Sequence, residues 1–144
     1  MRPNSIVQFD RFYLGSLVLA VINSALSMQD TLSDPRIASS GLGLGFLVGA
    51  QVFSFALILL LWFFISRNAS NVAKWILTVL TVAGVLMTIP TLPALAGRGL
   101  LGTGAVVVIT ALQIVAVVFL FRPDAKAWFA RKGDVAADDE SIFS

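Results

Sequence analysis

The chain has 144 residues, 58% of them hydrophobic and 12% charged, with a formal net charge of +2. Soluble domains carry about 25% charged and about 45–50% apolar residues, so this balance points to a membrane protein. Cysteine and histidine are both absent, which excludes disulfides, thiolate nucleophiles, imidazole ligands and histidine-held haem.

Residues 1–11, MRPNSIVQFDR, make a polar start with Arg2 and Arg11. A first span is expected at about 12–28, FYLGSLVLAVINSALSM. The two arginines, the apolar run and the small residues Ala25 and Ser27 imitate a signal peptide. Asp10 in the charged region and the weak Ala25 to Ser27 site argue for a retained span instead. Residues 29–40 read as a loop, with Asp34 before Pro35 favouring a turn.

The second span, 42–65, is LGLGFLVGAQVFSFALILLLWFFI and has no charge. At 1.5 Å rise per residue such a helix crosses a hydrocarbon core of about 30 Å with some tilt. The connection from 66 to 74 contains the sequon Asn68-Ala69-Ser70. It falls on the expected cytoplasmic side and reads as chance. The third span is expected at about 75–95 and carries Pro90 and Pro93. Neither proline can donate to the carbonyls of Leu86 and Ile89, so the helix kinks or ends there. Thr88 and Thr91 are placed to satisfy the freed carbonyls.

Residues 96–99 form a tight loop, and a fourth span follows at about 100–121. The stretch 122–132, RPDAKAWFARK, reads as a short interfacial helix. Pro123 suits its first turn and Asp124 its positive end. Trp128 and Phe129 are expected in the headgroup region, with Lys126, Arg131 and Lys132 against anionic lipid. Residues 133–144 hold Asp134, Asp138, Asp139 and Glu140 and read as a disordered acidic tail.

The fold class that follows is all-α: a polytopic four-helix transmembrane bundle with short loops, one domain over 1–132. Eight of the ten basic residues (Arg2, Arg11, Arg67, Lys74, Arg122, Lys126, Arg131 and Lys132) share one side, leaving Arg36 and Arg98 on the other. That bias places both termini in the cytoplasm. Trp62, Trp75 and Trp128 fall at the same boundary, as an aromatic belt requires. No basic patch interleaved with aromatics suggests nucleic acid.

Each span has a face of small or polar residues suited to a helix neighbour. Span two carries the pair Gly45 and Gly49, and span four begins that face at Gly102. Asn23, Gln51 and Gln113 are the most expensive groups, because an unpaired amide in hydrocarbon costs several kcal/mol. All three lie within roughly one helical turn of the span centres. With Thr88 they form a candidate intramembrane polar network. One reading makes them interhelical glue, worth about 0.6 kcal/mol per bond. The other makes them a midplane site, where transporters often hold substrate.

The runs FDRFYLGSLVLAVINSALS (9–27), SRNASNVAKWILTVLTVAG (66–84) and FRPDAKAWF (121–129) resemble a group of small four-span bacterial inner-membrane proteins with no assigned function. The resemblance implies a bacterial inner-membrane location and the same topology. Small multidrug-resistance transporters also have four short spans, but their proton-coupling glutamate in the first span has no counterpart here. Asp10 sits outside the hydrocarbon.

No constellation of residues supports catalysis, metal binding or a cofactor. The expectation is a non-catalytic membrane protein that self-associates or serves as an accessory subunit of a larger complex, with the lipid bilayer as its surround. The alternative is a small transporter or channel for an uncharged or lipophilic solute. Ion coupling would call for a charge within a span, and none is present.

Overall fold

The structure, a computed structural model, describes residues 2–97 and 99–132. The acidic tail at 133–144 and Arg98 lie outside the described residues. Among these the chain is all-helical: α1 (Asn4–Leu26), α2 (Met28–Leu32), α3 (Pro35–Ser39), α4 (Leu44–Asn68), α5 (Asn71–Thr88), a 3-10 turn (Ile89–Thr91), α6 (Leu92–Ala96) and α7 (Leu100–Leu120). Residues 123–132 are helical as well and are called α8. Four helices are long and apolar enough to cross a membrane: α1, α4, α7 and the run Asn71–Ala96.

Several element boundaries differ from the hydropathy reading. The first helix starts at Asn4, well before the apolar run, because its polar first turns find partners. Ser5 donates through its backbone N–H and its hydroxyl to Asp124, at 3.2 and 2.7 Å. The expected loop at 29–40 instead contains two one-turn helices. Asp34 caps the second by accepting from the Arg36 N–H at 2.9 Å, and Pro35 occupies its first position.

Between α4 and α5 the chain reverses through Ala69, at φ 51°. A non-glycine residue there carries left-handed strain of about 1–2 kcal/mol. Ser70 then caps α5, its hydroxyl accepting from the Ala73 N–H at 3.2 Å.

The two prolines break the third span, as their missing N–H groups require. The threonines do not serve the carbonyls expected of them. Thr88 donates to the Gly84 carbonyl at 2.8 Å and Thr91 to that of Thr88 at 2.7 Å. The Ile89 carbonyl is taken by the Leu92 N–H, since tightening to a 3-10 turn shifts the pairing by one residue. Gly99, at φ 92°, turns the chain into α7. The Thr103 hydroxyl holds that corner by donating to the Leu95 carbonyl at 2.7 Å.

In space α1 packs antiparallel along α7 and α4 packs antiparallel on α5, and the pairs meet chiefly through α5 and α7. The buried core lies at the end of the bundle where α1 begins and α7 ends. Ile6, Phe9, Tyr13, Leu61, Ile65, Leu77, Ala116, Leu120, Trp128 and Phe129 belong to it. Towards the other end the helices part and their apolar side chains face outward, with Leu100 94% and Leu101 92% exposed. Such a surface would associate in water but suits hydrocarbon.

The stretch 122–132 does not lie as an aromatic anchor facing outward. Trp128 and Phe129 are 6% and 2% exposed and cap the core from below, while Lys126, Arg131 and Lys132 stay on the outer surface. Two aromatic side chains lose more water-exposed area by filling the end of an open bundle than by lying along it.

Candidate binding cavity between the four helices

Asn23 on α1, Gln51 on α4, Thr88 on α5 and Gln113 on α7 all line one cavity of about 410 Å³ between the four long helices. Ser24, Ser54 and Thr110 add hydroxyls, and Leu17, Phe55, Ile58 and Ile109 supply apolar wall. Each amide sits on the inward stripe of its helix, so antiparallel pairing brings side chains from similar depths together.

The amides are half-buried, and among the described residues no hydrogen bond joins them to one another or to the Ser and Thr stripes. They present free donors and acceptors to the cavity. No ionisable side chain lines it. The arrangement can receive an uncharged molecule with hydrogen-bonding groups. It offers nothing to neutralise a charge and no general base.

The core closes the cavity towards the end where α1 begins and α7 ends. Tyr13 and Leu17 of α1 lie above Phe9, and the Ser16 hydroxyl is satisfied inside its own helix by the Tyr13 carbonyl at 2.7 Å. Beside the core a polar latch joins α1 to α4. One Asp10 oxygen accepts from the Trp62 indole N–H at 2.9 Å; the other accepts from the Ser66 hydroxyl at 2.9 Å and from Arg2 at 2.8 Å. Arg2 also donates to the Ser66 oxygen at 3.0 Å.

Asp124 fastens α8 to the start of α1. Its carboxyl is held below the usual carboxylate range, chiefly by the Ser5 hydroxyl. Lys74 lies buried under aromatic rings, its ammonium 4.8 Å from the Phe129 centroid, 5.2 Å from Phe121 and 5.9 Å from Trp75. That geometry is a cation–π cage.

Sequence reasoning found the amides but not the latch, the Asp124 clamp or the Lys74 cage. Asp10 and Ser66 are 56 positions apart and Ser5 and Asp124 are 119 apart, and no local pattern links such pairs.

Of the glycines expected at contacts within the bundle or between copies, Gly45 and Gly49 make none within this chain. Gly45 and Gly49 are exposed on α4, and a Cβ at either would meet nothing within 4 Å. The pair brings no helix close within this chain. Gly102 lines a second cavity of about 580 Å³, a groove between the outer parts of α1 and α7. Pro90 sits inside the 3-10 turn that follows Thr88, and Pro93 in the first turn of α6.

No family model matches this chain, and no curated protein and no solved structure matches it.

Proposed function

We propose that this is a non-catalytic multi-pass protein of the bacterial inner membrane that holds an uncharged, hydrogen-bonding solute between its four spans and carries it across. The single observation that supports this reading is the convergence of Asn23, Gln51 and Gln113, from three helices, on one cavity free of ionisable groups. Bonded to one another, the amides would be glue; lining shared space, they are donors and acceptors placed to meet a hydrogen-bonding solute.

A carrier fits better than an open channel, because packed side chains close the terminal end. The bilayer is the surround, and neither nucleic acid nor a cofactor enters the reading. Eight basic residues at the terminal end support cytoplasmic termini. The absence of cysteine makes single-cysteine labelling direct. Ser39→Cys is expected to react with an impermeant maleimide from outside the cell and Ser70→Cys only after lysis. The reverse pattern overturns the orientation.

Solute movement is tested in proteoliposomes by osmotic-shrinkage flux of glycerol and urea and by the crossing of a monoglyceride from one leaflet to the other. Gln51→Leu and Gln113→Leu are each expected to reduce flux at least about tenfold, the effect of losing 1.4 kcal/mol or more of binding, while thermal stability holds. Unchanged flux in both variants refutes the proposal.

A second reading has its own observation. The exposed Gly45–Gly49 face of α4, with open space at both positions, suits close approach by a helix of another copy or of a larger complex.

A further inference from the structure

The central cavity does not stand alone. Asn23 lines both it and the α1–α7 groove, so the two spaces share a wall. Their chemistries are segregated. The central space carries the amides and hydroxyls. The groove is aliphatic along Leu19, Ile22, Leu26, Leu101 and Val108, and Ser27 and Asp30 stand on its lining past the end of α1, Asp30 on α2.

We infer that the ligand is a neutral single-chain amphiphile, its hydrogen-bonding head among Asn23, Gln51 and Gln113 and its aliphatic chain in the α1–α7 groove. The inference rests on the solute reading above and specifies the class. A plain hydrocarbon would leave the three amides unmatched. An ionised head would meet no opposite charge in the central cavity. A polyol without a chain would leave the groove unused. The groove of about 580 Å³ has room for roughly twenty groups of about 30 Å³, the volume of a water and close to that of a methylene. One long acyl chain fits within it.

The groove side chains are themselves outward-facing, Leu26 and Leu101 most of all. The chain of such a ligand is therefore already at the lipid boundary when its head enters beside Asn23. Binding begins from the membrane.

The test uses native mass spectrometry of the full chain released from phosphatidylcholine nanodiscs. The nanodiscs are loaded separately with 1-monopalmitoylglycerol, palmitate, hexadecyltrimethylammonium or glycerol. The monoglyceride is expected to be retained about tenfold more than the two charged probes, and glycerol not at all. Gly104 lines the groove, and a Cβ there meets nothing within 4 Å. Gly104→Leu therefore has open space for its Cβ and adds bulk to the groove lining, and it is expected to abolish retention of the monoglyceride, as is Gln113→Leu.

Glycerol retained as well as the monoglyceride, with Gly104→Leu silent, overturns the chain subsite and leaves the solute reading standing. Equal retention of all three long-chain probes, indifferent to Gln113→Leu, makes the groove an unselective lipid crevice and overturns the inference. Retention of none of the four overturns the inference, and the flux of the Gln51→Leu and Gln113→Leu variants then decides the solute reading by itself.

Discussion

Asp10 is the polar joint between α1 and α4, and its removal has a calculable cost. Its side chain is 15% exposed and accepts from Trp62, Ser66 and Arg2. Arg2 is 38% exposed, so that ion pair contributes only about 0.2–1 kcal/mol. The Trp62 and Ser66 donors are better sheltered, and a hydrogen bond to a charged group contributes about 1.5–3 kcal/mol. Taking the lower figure for each, Asp10→Ala should destabilise the bundle by roughly 3–4 kcal/mol. The informative assay is a double-mutant cycle of Asp10→Ala with Trp62→Phe, read by reversible unfolding in mixed micelles. The cycle cancels the loss of ring area and isolates the bond between indole and carboxylate. A coupling energy of about 1.5 kcal/mol is expected. A coupling below about 0.5 kcal/mol, the usual error of additivity, would refute the latch.

Asp124 carries a lowered folded-state pKa relative to 3.8, so its contribution to stability is present above that unfolded value. It is lost as pH falls through the lower folded value. Ser5→Ala should flatten this acid limb in a pH titration of unfolding, and an unchanged limb would show that the clamp does not form. Phe129→Ala should cost about 3–5 kcal/mol, as for a packed core aromatic; a loss below about 1 kcal/mol would place the ring outside the core. Lys74→Met keeps length and apolar contact in the aromatic cage and should change stability by less than about 1.5 kcal/mol. Lys74→Glu sets a carboxylate against ring faces and should cost more than about 3 kcal/mol, both measured in the same unfolding assay.

The four long helices were legible in the chain because crossing a hydrocarbon core demands long uncharged runs, and that demand is local. The break at Pro90 and Pro93 was legible for the same reason, since a missing N–H acts on its own helix. That Asn23, Gln51 and Gln113 stand at similar levels along their helices also followed from counting residues along each span. That they open onto one cavity, rather than bonding to each other, depends on how far four helices part, which no single helix encodes. The same holds for Trp128 and Phe129. Their composition fits a membrane interface equally well, and only the unfilled end of the bundle draws them inward. Asp10 and Asp124 acquired partners across 52 and 119 positions, through tertiary proximity alone. Local hydrophobicity and backbone chemistry determined where this chain is helical; the packing of those helices decided which polar groups meet one another and which face an open space.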